Sequence, residues 1–170
     1  MSVLAQLCFE QVAVGDRIPE IVRGPMTPMH IMRWSAAVEN FHRIHYDFQF
    51  ATQHDGLPNV LVNGSWKQHL LVQMLRNWIG EGGWLWKISY RFRRPDIAGD
   101  VLTAFGVVAE VRRFGAFGVV RCEIGIRNSR GEPSTEGGAL IALPYRAGGP
   151  VPYPFPERGD FSAFANWADR

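Results

Sequence analysis

The sequence predicts an α+β domain in which an antiparallel sheet is wrapped around one central helix. The helix is expected at Gly64–Ile79, where large apolar side chains recur at three- and four-residue spacing. From Trp84 onward the apolar period changes to two, and the long alternating runs are separated by turn residues. One apolar helix followed by such strands is typical of a sheet with helix on one face.

Two shorter elements are predicted before the central helix. Arg17–Arg23 is expected to form the first strand, and Pro19 places that strand at an edge or a bulge. The pair Thr27-Pro28 predicts a helix start, because threonine is a good N-cap and proline suits the first helical position. This helix is expected to end near Glu39 or Asn40.

Four strands are predicted after the central helix, at Trp84–Phe92 and at residues 101–113, 116–128 and 138–145. Tight turns between sequential strands predict an antiparallel meander. The first of these strands is expected to present one apolar face, made of Trp84, Trp86, Ile88, Tyr90 and Phe92.

The domain is expected to span residues 1–145. Residues 146–170 are rich in proline and glycine at their start, which predicts a tail without regular structure. Phe161, Phe164 and Trp167 could dock a short helix onto the body or onto a partner subunit.

Composition and charge exclude several classes of function. The 170 residues are 46% hydrophobic and 20% charged with a net charge of +2, so no nucleic-acid partner is expected. Cys8 and Cys122 lack a CxxC partner, and no signal peptide or membrane-length apolar run is present, which predicts a cytoplasmic location without a membrane partner. No metalloprotease, P-loop or dinucleotide motif occurs, so neither a metal nor a cofactor is expected.

The connection at residues 40–63 is the strongest functional signal from the residues themselves. Its first eight residues, 40–47, combine an asparagine, two histidines, an arginine and an aspartate. Taken alone, they fit a solvated surface loop equally well. However, so long a connection in a compact domain is uncommon unless it is functional, which favours a site.

Five motifs in this order resemble the MaoC-like hydratase/dehydratase family. They are Val14-Gly15-Asp16, His45-Tyr46-Asp47, Val62-Asn63-Gly64, Phe92-Arg93-Arg94-Pro95 and Gly99-Asp100. The resemblance implies the hot-dog fold and a reversible addition of water to 2-enoyl thioesters, with coenzyme A or acyl carrier protein as part of the substrate. Residues 40–47 are also similar to the subgroup of mesaconyl-C4-CoA (3-methylfumaryl-CoA) hydratases.

The resemblance also implies catalytic roles. His45 matches the family's proton-carrying histidine, and Asn40 stands five residues earlier, where the family usually has aspartate. Asn63 stands where the family usually has histidine. The backbone N–H of Gly64 is expected to hold the thioester oxyanion, as helix N-termini can. Asn63 and the neighbouring Ser65 are expected to contact the substrate.

Each role has a structural alternative. His45 could be an ordinary core histidine, Gly64 could serve only close helix–sheet packing, and Asn40 could be a left-handed helix C-cap. Arg43 could bind a carboxylate on the acyl chain, or pair with an aspartate of its own loop. Arg94, with Arg91 and Arg93, could meet the phosphates of coenzyme A or remain solvated.

Three functions are compatible with this sequence. The first is an enoyl-CoA hydratase or 3-hydroxyacyl-CoA dehydratase. The second is a catalytically silent subunit of a hetero-oligomeric dehydratase, because Asn40 and Asn63 both replace ionisable residues of the family. The third is a hot-dog thioesterase, which is less favoured because Gly64–Ile79 contains no carboxylate. Since hot-dog domains generally pair, a homodimer or larger homo-oligomer is expected, with a heteromer as the alternative.

Overall fold

The computed structural model describes residues 6–153, which form five strands and two α-helices. In chain order the elements are β1 (Arg17–Arg23), α1 (Pro28–Ala37), α2 (Gly64–Ile79), β2 (Trp84–Phe92), β3 (Leu102–Phe114), β4 (Phe117–Arg127) and β5 (Pro133–Pro144). Short 3-10 turns lie at Phe9–Gln11 and Arg43–His45, and one π-helical turn lies at Phe50–His54. The predicted α+β class is confirmed.

The five strands form one antiparallel sheet in the order β1-β3-β4-β5-β2. A meander was predicted for all four later strands; it is right for β3, β4 and β5 but wrong for β2, which pairs with β5. The chain between β2 and β3 pairs instead with the segment before α2. The backbone carbonyl of Asp96 accepts from the Val62 N–H at 2.8 Å, and the Ala98 N–H donates to the Val60 carbonyl at 2.9 Å.

Helix α2 packs against the sheet, and its bounds are those predicted. Its core face is almost completely buried and consists of Leu70, Leu71, Met74, Leu75 and Ile79. Gly80 follows with φ of 71°, a conformation that glycine adopts without a Cβ penalty. The hot-dog arrangement of a sheet around one central helix is thereby confirmed.

Helix α1 begins as predicted but ends earlier. The Thr27 side chain accepts a hydrogen bond from the first turn. The helix ends at Ala37, and Glu39 rather than Asn40 adopts the left-handed conformation, with φ of 54°. The N–H of Asn40 then returns to the Ser35 carbonyl at 2.9 Å, which is the long hydrogen bond of a Schellman ending. Asn40 is therefore the residue after the left-handed position.

The predicted single apolar face of β2 is wrong at its beginning. A bulge between Leu85 and Lys87 reverses the alternation, so that Leu85 faces the core together with Ile88 and Tyr90. Trp86 instead packs with a second cluster, made of Phe117, Val119, Leu140 and Ala142. A strict period of two in the sequence does not reveal a bulge.

The first strand has the predicted bounds, whereas the last strand begins earlier than predicted. β1 is an edge strand with a register shift between Ile18 and Ile21, as Pro19 suggested. β5 begins at Pro133, earlier than the predicted residue 138, because its two central glycines hid the strand signal. A Cβ on Gly137 would lie 2.1 Å from the Ser89 carbonyl oxygen, so the close approach of β2 and β5 requires glycine there.

The chain after β5 follows the molecule without helix or strand as far as Tyr153. The Val151 N–H donates to Gly82 at 3.1 Å, and the rings of Trp84 and Tyr153 lie 5.3 Å apart. The predicted docking of Phe161, Phe164 and Trp167 falls outside the described residues, and the domain boundary at residue 145 stays a prediction.

A buried ion pair joins α2 to the segment between β2 and β3. The Lys67 ammonium lies 2.9 Å from the Asp96 carboxylate, with side-chain exposures of 4% and 0%. Lys67 also donates to the Arg94 carbonyl at 3.4 Å and lies 4.7 Å from the centre of the Phe92 ring. Within residues 6–153, the second carboxylate oxygen of Asp96 has no hydrogen-bond partner. The burial of each charge is therefore compensated mainly by the other.

Replacing only Lys67 should destabilise the fold strongly. Lys67→Met leaves the Asp96 carboxylate buried without a counter-charge, and removal of one partner from such a pair costs about 3–5 kcal/mol. The double variant Lys67→Met/Asp96→Leu should recover much of that loss, since it buries no charge. Urea unfolding of the three proteins measures the loss in Lys67→Met and its recovery in the double variant, and equal stability of wild type and Lys67→Met would contradict this role.

Candidate active site

The imidazole of His45 is held in one orientation by a backbone carbonyl. His45 closes the 3-10 turn Arg43–His45 and is 5% exposed. Its Nδ1 lies 2.8 Å from the Leu61 carbonyl oxygen. Because a carbonyl can only accept, Nδ1 must carry the proton, and the lone pair of the neutral ring is on Nε2. The ring is thus prepared to take a proton at Nε2.

Burial keeps this ring neutral. Desolvation lowers the pKa of His45 below its usual value, and the nearby His42 lowers it further. The hydrogen bond to Leu61 acts in the opposite direction but is the smaller effect. At neutral pH the side chain is therefore a base rather than an imidazolium.

Leu61 is the residue that orients His45, and it does so with both of its peptide groups. Its carbonyl accepts from the imidazole, while its N–H donates to the Ile44 carbonyl at 2.9 Å. A bridge to Ile97 fixes the same residue from the other side. Sequence reasoning missed Leu61 because the contacts use backbone atoms, for which the side chain gives no signal.

Arg43 stabilises the loop that carries His45. Its guanidinium contacts one oxygen of Asp47 at 2.7 and 3.0 Å and lies 4.5 Å from the centre of the Phe50 ring. The other Asp47 oxygen accepts from the Phe50 N–H at 3.0 Å, and these two contacts lower the pKa of Asp47, the backbone one more. Of the two roles weighed for Arg43, the geometry favours the ion pair within the loop. Contact of Arg43 with substrate stays a prediction.

The N-terminus of α2 is built from close packing and a buried amide. A Cβ on Gly64 would lie 2.8 Å from the Phe92 ring, so the packing role of this glycine is real. Its N–H belongs to the first helical turn, whose N–H groups have no partner within a helix. Asn63 is fully buried, and its amide donates to the Ser35 hydroxyl at 2.9 Å, which ties α1 to the start of α2. The geometry does not favour substrate contact by the Asn63 side chain.

The remaining predicted site residues already have protein partners. Asn40 accepts from the His42 N–H at 3.3 Å, which leaves its amide N–H groups for other contacts. The Ser65 hydroxyl accepts from the Trp34 indole at 2.9 Å. Arg94 lies 3.2 Å from a Glu132 carboxylate oxygen. Their contacts with substrate stay predictions.

The thiol of Cys122 is poorly placed for chemistry. Cys122 faces the core from β4, and burial raises its thiol pKa to about 12. Among residues 6–153, no three His, Cys, Asp or Glu side chains come together as a metal site would require. No helix in this part of the chain has the length and hydrophobicity needed to cross a membrane.

The lowered pKa of His45 predicts how stability depends on pH. The unfolded chain takes up this proton near the ordinary value of 6.5, whereas the folded protein takes it up only at lower pH. Stability contributed by the neutral ring should therefore be lost as the pH falls below about 6.5. His45→Asn keeps an amide donor near the Nδ1 position but cannot titrate.

Urea unfolding between pH 7.5 and about 5 measures this difference. The unfolding free energy of wild type should fall relative to that of His45→Asn as the pH is lowered. Parallel curves for wild type and His45→Asn would show that burial does not shift the His45 pKa.

Comparison with known proteins places this geometry among hot-dog proteins. Residues 16–98, just under half of the chain, match the sequence profile of the family described as hydroxyacyl-thioester dehydratase type 2. No curated protein matches the chain.

Solved structures match over most of the chain at low identity. The R-hydratase PhaJ1 from Pseudomonas aeruginosa is 20% identical with a TM-score of 0.73, covering 83% of this chain and 88% of its own. The (R)-hydratase from A. caviae is 22% identical with a TM-score of 0.70, covering 79% and 99%. The ChsH1-ChsH2 complex from Mycobacterium tuberculosis contains a chain that is 22% identical with a TM-score of 0.68, covering 77% and 98%. The protein therefore has the hot-dog fold, and its residues 16–98 are similar to the type 2 hydroxyacyl-thioester dehydratases.

Proposed function

We propose that this protein is a MaoC-like hydratase/dehydratase that acts reversibly on 2-enoyl and 3-hydroxyacyl thioesters. One observation carries the proposal: a buried, neutral His45 whose Nδ1 proton is engaged by Leu61, which leaves Nε2 as a base. The similarity of residues 16–98 to hydroxyacyl-thioester dehydratases supports the same reaction class.

In the hydration direction, water adds across the double bond of the enoyl thioester. His45 Nε2 takes one proton from water as the water oxygen bonds to C3. The π electrons move toward the thioester, and the Gly64 N–H holds the negative charge that develops on its oxygen. The imidazolium then delivers the proton to C2, which restores neutral His45. Dehydration is the reverse sequence.

Asn40 is proposed to orient the attacking water. Its carbonyl oxygen is occupied by the His42 N–H, whereas its amide nitrogen can donate to the water oxygen. An amide cannot take the proton, so in this chain His45 carries both proton transfers. This division of labour differs from the Asp/His pair that is usual in the family.

The second candidate is a silent subunit of a hetero-oligomeric dehydratase. Asn40 favours it because an ionisable group is missing where the family usually has one. The similar ChsH1-ChsH2 structure is a complex of two different chains, which gives this candidate a precedent in the same fold. A thioesterase is less supported, since the first turn of α2 contains no acidic residue.

The acyl chain and the oligomeric state are finer proposals. The residues 40–47 support a dicarboxylic substrate of the mesaconyl-C4-CoA type. The engagement of Arg43 by Asp47 weighs against that arginine as the receptor for a second carboxylate. A homodimer is proposed from the pairing habit of hot-dog domains. A panel of straight, branched and dicarboxylic enoyl-CoA esters decides among the acyl classes.

Removal of the His45 imidazole should abolish most turnover. His45→Ala should lower kcat for crotonyl-CoA hydration by roughly 10²–10⁴-fold, the usual contribution of a positioned acid–base group. Circular dichroism should show an intact fold, and the exposed His54→Ala should retain wild-type activity. Unchanged turnover of His45→Ala would remove this histidine from the mechanism.

Activity of the isolated chain and of variants at position 40 distinguishes an active enzyme from a silent subunit. We expect the isolated wild-type chain to hydrate an enoyl-CoA, and Asn40→Ala to lower kcat by about tenfold or more through loss of water orientation. A silent subunit would instead be inert alone. In that case the chain would become active only with a partner that carries an intact Asp/His pair, and Asn40→Asp would be the variant to gain activity.

A further inference from the structure

A groove of about 490 Å³ lies between α1, α2 and the end of β1. Six of its lining side chains are basic or aromatic: Arg23, His30, Arg33, Trp34, Trp66 and His69. The groove does not contain His45, and the proposed reaction leaves it unused.

The groove is suited to an anion. Arg23 and Arg33 line it, and no aspartate or glutamate is among its lining residues. His30 accepts from the Thr27 N–H at its Nδ1, so the neutral ring carries its proton on Nε2 and is a donor. Its positively charged and hydrogen-bond-donating groups match phosphate oxygens.

The groove is also suited to a flat aromatic ring. Trp34 and Trp66 line it, and the Trp34 indole is held by its hydrogen bond to Ser65 at 2.9 Å. The Trp34 and His69 rings lie 5.1 Å apart at an angle of 40°. Tryptophan faces are favourable stacking surfaces for nucleobases, so the groove combines phosphate-binding and base-binding chemistry.

One end of the groove lies close to Gly64 at the start of α2, because Trp34 and Trp66 line it there. Ser65, which holds Trp34, directly follows Gly64. At the other end, the Arg23 guanidinium lies 3.3 Å from the Gln73 side-chain oxygen. From Gly64 to Gln73 the helix rises by roughly 14 Å at ~1.5 Å per residue, which the flexible pantetheine arm of coenzyme A can span.

We propose that this groove binds the nucleotide end of a coenzyme A thioester, with its phosphates at Arg23 and Arg33 and its adenine against the tryptophans. The proposal rests on the proposed function and names the carrier of the acyl group. It places the phosphates away from Arg94, whose guanidinium is engaged by Glu132. A free carboxylate on a dicarboxylic acyl chain has the same charge but fills far less of the groove, so the size favours the nucleotide.

Binding without chemistry provides the first test. Calorimetric titration with 3′,5′-ADP should show binding to wild type and a weakening of about tenfold in Arg33→Ala, through loss of a charge-assisted contact. Arg17→Ala is the matched control, since it removes the same charge from the opposite end of β1, about 20 Å away at ~3.3 Å per residue. No binding of 3′,5′-ADP, or equal weakening in both variants, would overturn the proposal. Binding of fumarate instead, lost in Arg33→Ala, would overturn it in favour of an acyl carboxylate.

Kinetics with two thioesters provides the second test. Arg33→Ala should raise KM for crotonyl-CoA by about tenfold. It should leave turnover of the crotonyl thioester of N-acetylcysteamine, which lacks the nucleotide, unchanged. Equal losses with both substrates would show that Arg33 acts elsewhere. A chain that hydrates the N-acetylcysteamine thioester but does not bind 3′,5′-ADP retains the proposed function and loses this groove, whereas nucleotide binding without hydration retains the groove and loses the reaction.

Discussion

The two hydrogen bonds of the Leu61 peptide groups are the interaction on which the candidate site depends. One joins the segment before α2 to Ile44, and the other fixes the imidazole that follows one residue later. A histidine at the surface of a loop would sample several rotamers and both tautomers. Here the main chain selects one orientation and one tautomer at once, because a carbonyl oxygen accepts and cannot donate. The lowered pKa follows from the same burial.

Leu61 can act in this way only because its own segment is held from the opposite side. The connection from β2 to β3 pairs with residues 60–62, and the buried Lys67–Asp96 ion pair fastens that connection to α2. The backbone of β2 pairs with β5, and that of β3 pairs with β1 and β4, so β2 and β3 do not form a hairpin. The chain between them pairs instead with the loop that carries the site. The strand order and the position of that loop are therefore linked.

The two asparagines that replace ionisable residues of the family have different consequences. Asn63 is enclosed and bonded to Ser35, so its amide is a structural link between the two helices. Asn40 is half-buried at the end of α1 and keeps amide donors available. A neutral amide at both positions leaves His45 as the proposed proton carrier, which concentrates the proposed proton transfers on a single ring. In the proposed nucleotide groove, Arg23 and Arg33 would supply charge for binding rather than for proton transfer.

The sequence by itself determined the fold class, the bounds of the central helix, the edge position of β1 and the loop that carries His45. Each of these depends on local periodicity, turn residues or a motif that side chains display directly. Only the tertiary structure decided the place of β2, the bulge after Leu85, the buried pairing of Lys67 with Asp96, and Leu61 as the partner of His45. These features depend on backbone groups and on contacts between distant segments. A backbone carbonyl is the same in every residue, so no pattern of side chains predicts which carbonyl the histidine contacts.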